Sequence, residues 1–179
     1  TGHEPGRQTQ RLAFSADGRT LYFVRGGGPN RAGEIPNPTS DPDGAEQAIW
    51  RVRLDGSRAE RVTEGTAPTP APHGADFAFL RRGAVWLASA GDKATRVAPL
   101  FRVRGSAGAL QWSPDGRQLA FTSNRGTHAF VGVYDLGAKT LRWMAPSTDT
   151  DGSPVWSPDG TRLAFLRTPY AGQRLGFRA

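Results

Sequence analysis

Gln111-Trp112-Ser113-Pro114-Asp115-Gly116-Arg117-Gln118-Leu119-Ala120-Phe121 reads as two short strands joined by a tight turn. Pro114 presets φ for a turn, Asp115 can accept hydrogen bonds from nearby backbone, and Gly116 takes positive φ without steric cost. Trp112 on one side and Leu119 with Phe121 on the other suit a packed, pleated surface. The stretch recurs. Val155-Trp156-Ser157-Pro158-Asp159-Gly160-Thr161-Arg162-Leu163-Ala164-Phe165 agrees with it at Trp, Ser, Pro, Asp, Gly, Leu, Ala and Phe. Phe14-Ser15-Ala16-Asp17-Gly18-Arg19-Thr20-Leu21-Tyr22-Phe23 is a third copy, with Phe for Trp and Ala for Pro. A worn fourth copy, Pro70 to Phe79, keeps a proline, the turn glycine Gly74 and the closing Ala78-Phe79. The turn glycines at 18, 74, 116 and 160 are spaced by 56, 42 and 44 residues. Periods near 40 with several short strands per unit are those of propeller blades.

The expected fold is therefore all-β, a partial β-propeller of four-stranded antiparallel blades, about four in number with the last incomplete. The expected blades cover residues 7–66, 67–100, 105–147 and 151–179, and the strands around Trp112 and Trp156 should lie in separate sheets. In the first blade, residues 26–47 form a long insertion with four prolines and no apolar period, which reads as a loop. The strand after it sets Trp50, Val52 and Leu54 on one face and Arg51 and Arg53 on the other. In the second blade, Pro68, Pro70 and Pro72 each lack a ladder N–H, so the first strand there should be irregular. The fourth blade reads as half-built beyond Leu166, which leads to the expectation that these residues are a piece of a larger propeller. Its apolar face around Val155, Leu163 and Phe165 should then favour association.

Composition narrows the function. With 179 residues the chain can bury a core of its own, and 23 glycines and 14 prolines fit many turns and little helix. No apolar run is long enough to span a membrane as a helix. The net charge is +7, yet the arginines are scattered, with Arg81-Arg82 the one adjacent pair and Lys at 93 and 139 alone. That pattern points away from nucleic acid as a partner. Zero cysteines exclude disulfides and thiolate metal sites.

Catalytic chemistry has little to stand on. No serine has glycine at both flanking positions of a Gly-x-Ser-x-Gly elbow. His3, His73 and His128 are too widely spread for metal-ligand spacing or a triad, so neither a catalytic residue, a metal nor a cofactor is assigned. Asp17, Asp115 and Asp159, with Gly18, Gly74, Gly116 and Gly160, read as turn-formers, and His73 as the stand-in for the turn aspartate. Trp112 and Trp156 read as packing between blades. Glu34, Glu46 and Arg31, in the long loop, remain as residues placed to touch a ligand.

The two Trp-Ser-Pro-Asp-Gly repeats, each followed by Leu-Ala-Phe, resemble the blades of TolB-like propellers. They also resemble the propeller of prolyl oligopeptidase-family serine peptidases, including dipeptidyl-peptidase and acylaminoacyl-peptidase relatives. Phe23 to Gly28 with Gly33 to Pro38, Phe130 to Asp135, and Pro154 through Pro169 strengthen the peptidase likeness. The resemblance covers essentially the whole chain. It implies a propeller that restricts which peptides reach an α/β-hydrolase domain with a Ser-Asp-His triad, a domain these 179 residues do not include. It also implies a role for acidic propeller residues, here Glu34 or Glu46, in holding a substrate's free amino terminus. It implies a periplasmic or secreted setting, while the residues themselves leave the cytoplasm open. The alternative is a non-enzymatic TolB-like propeller acting as a platform for a protein partner.

Overall fold

The turn chemistry sets the strands, and the strands set the sheets. A computed structural model describes residues 9–26, 47–90 and 95–169. Every described element is a strand, and the chain divides into two units, Thr1–Arg102 and Val103–Ala179.

In the first unit, β1 (Thr9–Phe14), β2 (Thr20–Arg25), β3 (Ala48–Arg53) and β4 (Glu60–Glu64) pair in that order as one antiparallel sheet. A second antiparallel sheet follows the same order with β5 (Thr66–Pro70), β6 (Asp76–Arg81), β7 (Ala84–Ala90) and β8 (Thr95–Arg102). These are blades 1 and 2. Cross-strand partners share a face, so the pairs Tyr22–Arg51 and Val24–Ile49 put those four side chains on one side of blade 1. On that side Tyr22, Val24 and Ile49 are buried in a cluster with Phe77, Phe79 and Ala88 of blade 2. The Tyr22 and Phe77 ring centroids are 4.7 Å apart, and those of Phe77 and Phe79 5.8 Å. Aromatic pairs at such tilted distances add to the stabilisation from area burial alone. The opposite face carries Phe23 and Trp50, with the Arg25 guanidinium 4.7 Å from the Trp50 ring.

The alternation read for β3 holds, with Trp50 and Val52 on one face and Arg51 and Arg53 on the other. The arginine-bearing face is the one that holds the buried Ile49 and turns toward blade 2. Leu54 sits in the turn after β3 and is 60% exposed.

The second unit holds β9 (Ser106–Trp112), β10 (Gln118–Asn124), β11 (Ala129–Asp135) and β12 (Thr140–Trp143), then the hairpin β13 (Thr150–Trp156) and β14 (Leu163–Thr168). Leu119, Phe121, Val131 and Val133 are buried there. The Phe121 ring lies directly over Gly132, where a Cβ would stand 2.5 Å from Cζ, and Trp143 packs edge-on at 5.6 Å. The expectation of separate sheets for the two Trp repeats is not met. β13 joins β11 through one parallel pair, Ala129–Thr150, which links all six strands into one sheet. The reason is the shortness of β12. It pairs only with Gly132 to Asp135, so the Ala129 N–H at the start of β11 is left to the Asp149 carbonyl, 3.4 Å away. The Trp156 indole donates to the Gln111 carbonyl of β9 at 3.2 Å, which ties the second repeat to the first.

One feature repeats without any sequence signature. Arg11, Ala67, Ala109 and Ser153 all have positive φ, between 43° and 53°, and each stands seven residues before its turn glycine. Each marks a register shift where a first strand pairs with its second. An extra residue at that point is a β-bulge, which bends the strand and sharpens its twist. In the second blade the bulge falls among the prolines, at Ala67 beside Pro68, where irregularity was expected.

Candidate functional site: a cleft at the turn end of blade 1

The site begins with the repeat's turn. In the first copy the Ser15 hydroxyl donates to Asp17 Oδ1 at 2.6 Å and accepts from the Thr20 N–H at 2.9 Å, while the Arg19 N–H donates to the same carboxylate oxygen at 3.0 Å. The same three bonds recur at Ser113, Asp115, Arg117 and Gln118, and at Ser157, Asp159, Thr161 and Arg162. In each of the three, the serine hydroxyl first, and then the backbone N–H, holds the aspartate below its ordinary carboxylate value. Gly18, Gly116 and Gly160 take φ of 68° to 70° and close the turn. The worn copy keeps the backbone closure, Ala71 N–H to Asp76 carbonyl at 2.9 Å, and Gly74 keeps its φ of 72°. It has Ala71 where the others have serine, and His73 where they have aspartate.

What differs among the blades is the strand across from the turn. Leu54 N–H donates to the Arg19 carbonyl at 3.0 Å, just as Leu136 N–H does to Arg117, so the end of the third strand is fixed against the turn. In blade 1 this brings Arg51 opposite Tyr22 and Arg53 opposite Thr20. The corresponding pairs are Leu87–Ala78 and Ser89–Asp76 in blade 2, and Val133–Ala120 and Asp135–Gln118 in the third. Blade 1 thus has two arginines and a tyrosine where the others carry small or apolar side chains, a serine or an aspartate.

A cleft of about 730 Å³ opens there, lined by the turn residues Asp17 to Thr20, by Tyr22, Arg51 and Arg53, by Leu54 and Asp55, and by Ala75 from the β5–β6 turn. That volume is in the range that takes a ligand of several residues. Tyr22 is 3% exposed. Burial pushes its phenol above the usual value, with Arg51 pulling it back and Asp17 and Asp76 adding to the rise, so the hydroxyl keeps its proton. Arg51 donates through Nε to Glu60. Asp55 is held below its ordinary value mainly by the Ser57 N–H, which donates to it at 2.9 Å. Both cleft carboxylates therefore have a lone pair engaged by their own turns. Arg19 and Arg53 make no side-chain hydrogen bond or salt bridge among the described residues, and act on Asp17 and Asp55 through their charge alone. The cleft thus has guanidinium donors to spare beside carboxylates that are each engaged at one oxygen, a chemistry that receives oxygen atoms and can also take an N–H.

Of the residues read from sequence, Asp17 and Gly18 line this cleft, while Gly74, Asp115, Gly116, Asp159 and Gly160 hold turns elsewhere. Glu34, Glu46 and Arg31 lie outside the described residues. Sequence reading passed over Tyr22, Arg51 and Arg53. Aligning the third strands on their turn glycines would have found them, since Arg51 and Arg53 replace Leu87 and Ser89, or Val133 and Asp135.

No family model matches the sequence. A curated protein of Agrobacterium fabrum, itself described as uncharacterized, is 30% identical over 125 residues, and the chain spans 37% of its length. Among solved structures, the chain is similar to TolB of Acinetobacter baumannii, at 19% identity and TM-score 0.60 over 92% of this chain and 39% of that one. It is similar to a puromycin-hydrolyzing peptidase of Mycobacterium tuberculosis, at 18% identity and TM-score 0.66 over 90% of this chain and 28% of that one. The acylaminoacyl peptidase of Pyrococcus horikoshii matches at 13% identity and TM-score 0.60, over 84% and 26% of the two chains. At these identities the likeness shows the fold. With its two four-stranded antiparallel sheets, and a third such set of strands that a parallel pair extends by one hairpin, the chain is a partial β-propeller of the kind found in TolB and in peptidase propeller domains.

Proposed function

We propose that this chain is a non-catalytic propeller segment that engages peptide, and that it does so for a prolyl oligopeptidase-like serine peptidase, selecting which substrates reach the hydrolase domain. The observation that carries the reading is the cleft at the turn end of blade 1, large enough for a few residues and lined with charged side chains on rigid strands. The sequence resemblance and the fold likeness to two structures described as peptidases support it. In this reading Glu34 or Glu46, with Arg31 beside them, meets the substrate's amino terminus, because an ammonium drawn into a partly enclosed space requires a carboxylate partner.

The test is hydrolysis of short chromogenic peptides by the natural full-length protein. Glu34→Gln and Glu46→Gln should raise KM for peptides with a free amino terminus more than for their N-acylated counterparts. Equal changes for both substrate types, or none, would remove the loop from substrate selection. The alternative reading, a TolB-like platform for a protein partner, is favoured by the exposed Leu12 and Phe14 on β1, 66% and 58% exposed. It predicts no peptide hydrolysis by the full-length protein and a stable complex lost on Leu12→Ser and Phe14→Ser.

A further inference from the structure

Arginine departs from the repeat at the position of Arg51. Of the equivalent residues, Leu87 is half-buried and Val133 is 3% exposed. The Arg51 side chain is 19% exposed on the face that blade 1 turns to blade 2. Most of its stem is covered by protein, while the guanidinium opens on the cleft, where water or a ligand can meet it. Glu60, the cross-strand neighbour of Arg51 on β4, accepts from Nε and leaves the terminal nitrogens without a partner among the described residues. Arg53, two residues along the same face, and Arg19, from the turn tied to the end of β3, bring two more guanidinium groups to the same cleft.

We propose that this cleft is a carboxylate-binding site for peptide, with Arg51 and Arg53 as the carboxylate receptors and Arg19 beside them. Three features favour peptide over a small inorganic anion. The cleft is far larger than an oxyanion needs. Its walls include the apolar surfaces of Tyr22, Leu54 and Ala75, which would cover side chains. Asp17 and Asp55 stand ionised at its rim, where they oppose a multiply charged anion and can accept a backbone N–H from a bound chain. The planar fork of arginine matches a carboxylate through two parallel hydrogen bonds, which an amide cannot reproduce. The carboxylate can be the terminal one of the chain or that of an Asp or Glu side chain.

This inference rests on the reading of the chain as a peptide-engaging propeller segment, and the two fail differently. The probes are N-terminally fluorescein-labelled pentaalanine as the free acid, the same peptide as the C-terminal amide, and an amidated pentapeptide with a central glutamate. Each is titrated with the chain and followed by fluorescence polarisation. The acid should bind at least about tenfold more tightly than the plain amide. Arg51→Leu and Arg53→Ser should each abolish that difference. These variants install the residues that blade 2 carries, and unchanged thermal unfolding verifies the fold. Arg53 is exposed, so Arg53→Ser carries the test alone where Arg51→Leu does not fold. Binding of the glutamate peptide assigns the site to side-chain carboxylates as well, and its failure assigns it to the chain terminus. Acid and amide binding equally, or both variants retaining the preference, overturns the carboxylate site and leaves peptide engagement standing. No binding of any probe overturns both.

Discussion

Gly132 and Ala109 show opposite demands on a single residue. At Gly132 the backbone lies flat beneath the Phe121 ring, and an added Cβ would meet three ring carbons at 2.5 to 3.1 Å. Neither partner can yield, because Phe121 is fully buried and packs edge-on against Trp143. Gly132→Ala should therefore destabilise the chain by about 2–3 kcal/mol, read as a lower denaturation midpoint with unchanged slope. Ala109 is an exposed residue held at φ 43°, a conformation its Cβ disfavours. Ala109→Gly should stabilise by about 0.5–1 kcal/mol, since relief of the left-handed strain exceeds the added freedom of the unfolded chain. A lower midpoint for Ala109→Gly would show that the bulge conformation there carries no strain.

At the scale of the element, the Ser-x-Asp-Gly turn is a hydrogen-bonded unit whose strength depends on pH. Asp17, Asp115 and Asp159 all sit below the ordinary value of 3.8 when folded. A carboxyl whose folded value is depressed adds stability that is present in full above its unfolded value and is lost as pH falls through the folded one. The turns should therefore contribute fully at neutral pH and progressively less on acidification below pH 3.8. Replacing all three aspartates by asparagine should flatten the fall of melting temperature across that acid range. A triple variant with the same acid sensitivity as the parent would place the titration elsewhere. Blade 2 is the internal comparison. It closes its hairpin with Ala71 and His73, so the backbone bonds alone suffice to form the turn.

For the whole molecule, the repeat was legible because turn chemistry is local. Proline, aspartate and glycine act within four residues, and their spacing announces the blades. The bulges were not legible, because Arg11, Ala67, Ala109 and Ser153 share a backbone conformation and no side-chain property. Which face of β3 turns inward was not legible either, for a related reason. Alternation separates Arg51 and Arg53 from Trp50 and Val52 without saying which side is buried, and the Val24–Ile49 register places the arginine face against blade 2. The arginine cleft is a departure from the repeat, visible only once the strands are aligned on their turns. Exposed apolar residues are a further property at this scale, with Leu12, Phe14, Val155 and Leu166 all more than half exposed. The chain should accordingly bind a hydrophobic dye and self-associate at high concentration, and light scattering from a dye-free monomer throughout would contradict this.

The central claim, that peptide is engaged at the turn end of blade 1, is tested most directly by hydrogen exchange of the chain with and without excess pentaalanine free acid. Added peptide should slow exchange in residues 17–22 and 49–55 and leave the equivalent residues 115–120 and 131–137 unchanged. Equal protection in both sets, or none in the first, would contradict it.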